Sequence, residues 1–179
     1  MTKIRFTTLV GSFLFGVALC ATSTAWAQQK YTISRPPSST SQYLQQHAID
    51  VGDSPGHQVR VYEIRNMYPE RDFSFAGVVV TESIAHGMSD YINYGGPFVT
   101  YNVYMLEDGN KIFSRNTGTS QSVTKPDGTQ VVRFSYVENF TGGTGRFKGI
   151  RGQLAGNGER APIAKTLTVQ WSGEYWLEE

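Results

Sequence analysis

A closed antiparallel β-barrel of about eight strands is the fold this sequence predicts. Three observations predict it. From His57 onward, short runs rich in β-branched and aromatic residues alternate in period two. Turn chemistry separates them, most plainly Asp108-Gly109 and Asp127-Gly128. No segment sustains a helical period.

The first residues read as an export leader. Lys3 and Arg5 supply a positive start, an apolar run follows from Leu9 to Ala21, and Ala25-Trp26-Ala27 precedes a polar stretch. The apolar run is shorter than the roughly 20 residues a bilayer span needs. Lipidation at Cys20 wants a small residue before the cysteine, where Leu19 stands, so cleavage after Ala27 is expected. The mature chain then lacks cysteine, which excludes disulfides, thiol catalysis and thiolate metal sites. A bacterial periplasm is the expected destination.

Residues 1–27 are therefore read as signal peptide, 28–54 as a polar arm, and 55–179 as the barrel domain. The arm carries Pro36-Pro37 and a serine-rich run and buries little; one short element is expected near Tyr43 to Val51. The strands follow as His57–Arg65, Phe73–Ile84, Phe98–Leu106, Lys111–Thr117, Thr129–Phe140, Lys148–Ala155 and Lys165–Leu177. Several carry large side chains on both faces. Phe98, Tyr104 and Leu106 oppose Tyr101, Val103 and Met105, which favours closure over a one-sided sheet.

Charge excludes one class of partner. Without residues 1–27, which hold two basic residues and no acid, 14 basic residues face 15 acidic ones. A nucleic-acid binder shows a basic surplus or stripe, and none exists here. The mature form has no membrane span.

The segment Thr141-Gly-Gly-Thr-Gly-Arg-Phe-Lys-Gly-Ile-Arg-Gly152 is the most distinctive. Gly142, Gly143, Gly145, Gly149 and Gly152 permit a tight turn and close strand approach, and Phe147 is its one large apolar anchor. A dinucleotide loop needs a helix after it, and a phosphate loop needs Gly-Lys-Ser/Thr; both are missing. This glycine string resembles that of the superfamily containing plant allene oxide cyclases and dirigent proteins. Asp108 to Phe113 looks like the central hairpin of bacterial members, and Trp171 to Leu177 like their closing strand. The resemblance covers residues 57–177. It implies a calycin-like eight-stranded barrel with a ligand-sized interior, found as a homodimer or homotrimer. The superfamily mixes cyclisation, steering of radical coupling and ring formation, so fold alone transfers no activity.

Candidate chemistry is sparse. His47, His57 and His86 have no metal-ligand spacing, so no metal is expected, nor any cofactor. No Gly-x-Ser-x-Gly elbow occurs. Glu63, Glu82 and Glu138 lie within strand runs. By parity Glu82 shares a face with Val78 and Val80, and Glu138 with Val132, Phe134 and Tyr136. A carboxylate on an apolar face has its charged form disfavoured and enters the acid–base range. The competing role is an ion pair with an arginine such as Arg133 or Arg151. Glu82, Glu138 and Tyr136 are the catalytic candidates. Tyr62, Tyr101, Phe134 and Trp171 are the candidates for binding a small apolar or aromatic molecule; barrel packing is the alternative for each.

Three functions are therefore open. One is carriage of a small hydrophobic or aromatic ligand. Another is cofactor-independent isomerisation or cyclisation, drawing on orientation and excluded water. The third is a structural barrel filled by its own side chains. A pocket carboxylate with no cationic neighbour points to catalysis, and an apolar lining to carriage.

Overall fold

The structure is a computed structural model that describes residues 30–33, 39–161 and 166–178. The leader, its cleavage point after Ala27, and Cys20 lie outside the described residues. Strands make up the molecule: β1 (Lys30–Ile33), β2 (Thr40–Asp50), β3 (His57–Met67), β4 (Ser74–Phe75), β5 (Val78–Ile92), β6 (Gly96–Leu106), β7 (Lys111–Thr124), β8 (Gln130–Gly143), β9 (Ile150–Ala161) and β10 (Thr166–Leu177). One 3-10 turn, Gly145–Phe147, joins β8 to β9. Within the described residues no helix is long and apolar enough to cross a membrane.

The strands form one antiparallel meander in the order β1-β10-β9-β8-β7-β6-β5-β3-β2, with β4 folded back on β5. The expected all-β antiparallel architecture is thus present, but the hydrogen-bonded ladder does not close. β1 and β2 are its two edges. Where the curled sheet brings β2 and β9 together, the contact is made by side chains. Arg160 donates to the Tyr43 hydroxyl at 3.4 Å and lies over its ring. Two long side chains standing between strands hold the backbones well beyond the roughly 4.8 Å that pairing requires. The polar arm also contributes more than one short element, since both β1 and β2 come from it.

Local chemistry explains the connections. Gly109 (φ 82°) closes the β6–β7 hairpin, and Asp108 Oδ1 accepts from the Asn110 N–H at 2.9 Å. The β7–β8 hairpin repeats the device with Gly128 and Asp127. The long strand expected from Phe73 to Ile84 is broken. Ala76 (φ 46°) and Gly77 (φ 82°) turn the chain by left-handed backbone between β4 and β5.

That break seats an aromatic plug. Phe73 meets Tyr104 and Trp171 at ring distances of 5.7 and 5.6 Å. Phe75 meets Tyr104, Phe140 and Tyr175 at 5.7, 5.4 and 5.1 Å. The Tyr175 hydroxyl accepts from the Ala76 N–H at 2.7 Å. One short segment touching β6, β8 and β10 together requires the sheet to curve round it. The core gathers at this end, with Phe75, Ile112, Phe147, Ile150 and Leu154 fully buried. Beyond the plug the concave face continues as a trough.

Candidate functional site

Two adjacent rows of residues cross the concave face. The first runs Tyr62–Gly87–Thr100–Asn116–Glu138–Leu154–Gly173 from β3 to β10. The second runs Arg60–Ser89–Phe98–Gly118–Tyr136–Gly156–Trp171. Small residues alternate with rings, and the alternation has a steric reason. A Cβ on Gly156 would stand 2.5 Å from the Tyr136 hydroxyl, and one on Gly118 would stand 2.6 Å from Phe98 Cζ. Gly158 is related in the same way to Phe134, and Gly87 to Tyr62, each at 2.6 Å. Each ring therefore packs over the glycine of a neighbouring strand. Phe134 and Tyr136 are near-parallel at 6.3 Å, whereas Phe98 meets Tyr136 edge-on at 6.4 Å and 63°. All four rings remain partly exposed although they point inward, so solvent reaches the trough.

Beside this aromatic floor lies a buried carboxyl. Glu138 is 1% exposed and forms no ion pair among the described residues. Its Oε1 accepts from the Tyr104 hydroxyl at 2.5 Å, the Asn102 amide at 3.2 Å and the Ser114 hydroxyl. None of these donors goes to Oε2. Burial pushes the carboxyl above its ordinary range, and the three hydrogen bonds draw it partly back. The surrounding phenols respond to the same environment. Burial raises Tyr68, Tyr104 and Tyr136, and Glu138 adds to each shift. Tyr62 is pushed up to about 12 by burial, against its contact with Thr100. These phenols stay protonated, and the Tyr104 hydroxyl donates to Glu138.

Among the described residues, three buried polar atoms have no hydrogen-bond partner: Arg60 Nε, Ser89 Oγ and Trp171 Nε1. All belong to the second row. The Trp171 indole lies toward the Tyr136 hydroxyl without reaching hydrogen-bond geometry. Unpaired buried donors cost about 1–3 kcal/mol each, so the row is poised for acceptors that the described residues do not supply.

The expected residues separate into two groups. Glu138, Tyr136, Tyr62, Phe134 and Trp171 share the concave face. Glu82 does not, because a bulge between Val80 and Glu82 shifts the alternation and turns its side chain outward, where it pairs with Arg65. Tyr101 also lies outside, 55% exposed beside Arg115. Glu63 accepts from Gln45 and lies 3.7 Å from His86 on that outer face. The glycine string sits at the plug end: Gly142 and Gly143 end β8, Gly145 opens the 3-10 turn, and Phe147 is fully buried. Gly149 and Gly152 bring β9 close to the carbonyls of Glu178 and Glu174.

Sequence reasoning missed Asn102, Ser114, Arg60 and Ser89, which carry no motif. A usable signal was the period-two series Gly152, Leu154, Gly156, Gly158 on β9, which marks a face crossed by neighbouring rings. Two surface grooves, of about 370 and 340 Å³, adjoin the concave-face residues. The larger is lined by Val61, Met88 and Tyr101 together with Tyr62 and Gly87 of the first row, and the smaller by Arg133, Glu159 and Gln170 together with Phe134 and Gly158. In comparison with known proteins, no family model, no curated protein and no solved structure matches the chain.

Proposed function

We propose that this chain is an exported protein that binds a small, largely aromatic molecule in the trough of its curved sheet. The observation that carries the reading is a floor of four half-buried rings, each packed over the glycine of a neighbouring strand. The near-parallel Phe134 and Tyr136 offer a stacking face with Phe98 edge-on beside it, and the neighbouring donors fix orientation. Native mass spectrometry of protein purified from its source tests this. A co-purifying small molecule is expected on the parent and is lost from Gly156→Ala, which displaces the Tyr136 ring. An adduct that survives this change equally well contradicts the assignment.

A second reading has its own observation. Glu138 is a buried carboxyl without a cation, aimed among hydroxyl and amide donors, which suits proton transfer in a cofactor-independent isomerase or cyclase. Kinship with the allene oxide cyclase and dirigent barrels belongs to this proposal, supported by the antiparallel meander and the glycine-rich turn between two late strands. Homo-oligomerisation and a periplasmic destination belong to it too. Glu138→Gln should then retain ligand binding while abolishing turnover of a bound substrate. Unchanged turnover would leave carriage alone.

A further inference from the structure

The second row of the trough begins with a cation, Arg60, that forms no ion pair among the described residues. Arg60 alternates with Tyr62 and Ile64 on the concave face of β3 and is directly paired with Ser89 of β5. Arg115, Arg146 and Arg160 likewise form no ion pair among the described residues, whereas Arg65, Arg71, Arg133 and Arg151 each hold a glutamate on the surface. Asp50, the β2 carboxylate on the same face, accepts from Gln58 instead. Arg60 is half-buried, and its buried Nε has no hydrogen-bond partner among the described residues; Ser89, only 3% exposed, has none in good geometry either, although the Tyr91 hydroxyl lies toward it. Around them stand the phenols of Tyr62 and Tyr91, both near enough to feel the guanidinium charge. A second arginine, Arg160 of β9, reaches the same side through Tyr43, which packs edge-on against Tyr62 at 6.1 Å.

The buried, unpaired Nε of Arg60, lying among aromatic rings, carries a desolvation cost that a bound anion would relieve. A carboxylate satisfies the whole group: it accepts from the guanidinium fork and from a serine hydroxyl at once. The ring bearing that carboxylate would continue onto Phe98, the next residue of the row, and then toward Tyr136. A neutral aromatic alcohol would stack equally well but leave Arg60 uncompensated.

Building on the trough reading, we propose that the ligand is an aromatic carboxylate, its acid group held by Arg60 and Ser89 and its ring system lying on Phe98 and Tyr136. Arg60 sets the preference for the anion, while the floor supplies affinity common to any flat ring.

Calorimetric titration of the full chain with 2-naphthoate and with 2-naphthylmethanol separates the two contributions. The naphthoate should bind about 10-fold or more tightly than the alcohol, the range expected of hydrogen bonds to a charged group. Arg60→Gln should abolish that preference, chiefly by weakening naphthoate binding. Arg60→Lys, which keeps the charge without the fork, should retain an intermediate preference and covers the case in which the glutamine variant is unstable. Equal affinities in the parent, or a preference that survives Arg60→Gln, would overturn the anion site while leaving aromatic binding intact. Failure of both probes to bind would overturn the trough reading itself, and the anion site with it.

Discussion

Glu138 shows how one side chain reports its surroundings. Its folded-state pKa is raised above 4.5 by burial. The sign of the linkage follows: its contribution to stability is full below 4.5 and is lost as pH rises through the raised value. Glu138→Gln stays neutral at every pH and removes this loss. The variant should melt a few degrees above the parent at about pH 8, with the gap closing toward about pH 4, as thermal denaturation across pH will show. An infrared difference spectrum between the two should show a protonated carboxyl above the ordinary titration range. Gly156→Ala works through shape, because its methyl group meets the Tyr136 ring, and urea unfolding should register a loss of about 1–3 kcal/mol. The inward direction of Glu138 was legible, since Val132, Phe134, Tyr136 and Glu138 alternate without interruption along β8. Glu82 was misplaced because a bulge has no compositional mark. Arg60 was overlooked because a lone charge on a strand ordinarily faces water.

Single turns and clasps set the behaviour of the elements. The Asp108-Gly109 hairpin was legible because its geometry is decided by neighbours in sequence. Gly109→Ala places a methyl group at φ 82° and should cost about 1 kcal/mol or more, measurable by chemical denaturation. The β4–β5 break escaped notice because Ala76 adopts a left-handed conformation that only the packed plug enforces. Another long-range device is His57 at the start of β3. Its ring joins Asp53 in the preceding turn to Asp90 on β5, the latter at 2.7 Å. The bond to Asp90, then that to Asp53, raises its pKa above 6.5. Stability from this clasp is complete below 6.5 and fades as pH climbs through the raised value. His57→Gln should therefore depress the melting temperature more at about pH 6 than at about pH 9.

At the scale of the whole molecule, curvature is what turns a meander into a binding surface. Phe75 touches three strands spread round the sheet, so Phe75→Ala should cost about 3–5 kcal/mol and loosen the trough along with the core. The antiparallel architecture was legible from alternation and turns. The open edges were not, because pairing between β1, β2 and the remaining strands depends on contacts distant in sequence, and the residues of β2 are exposed along its whole length. The most direct measurement is a crystal structure of the protein grown with 2-naphthylmethanol, a neutral ring that tests the floor independently of Arg60. The ring should lie against Phe98 and Tyr136 within the concave face. Density instead in the outer groove beside Val61, Met88 and Tyr101, with the concave face occupied only by protein side chains, would contradict the account.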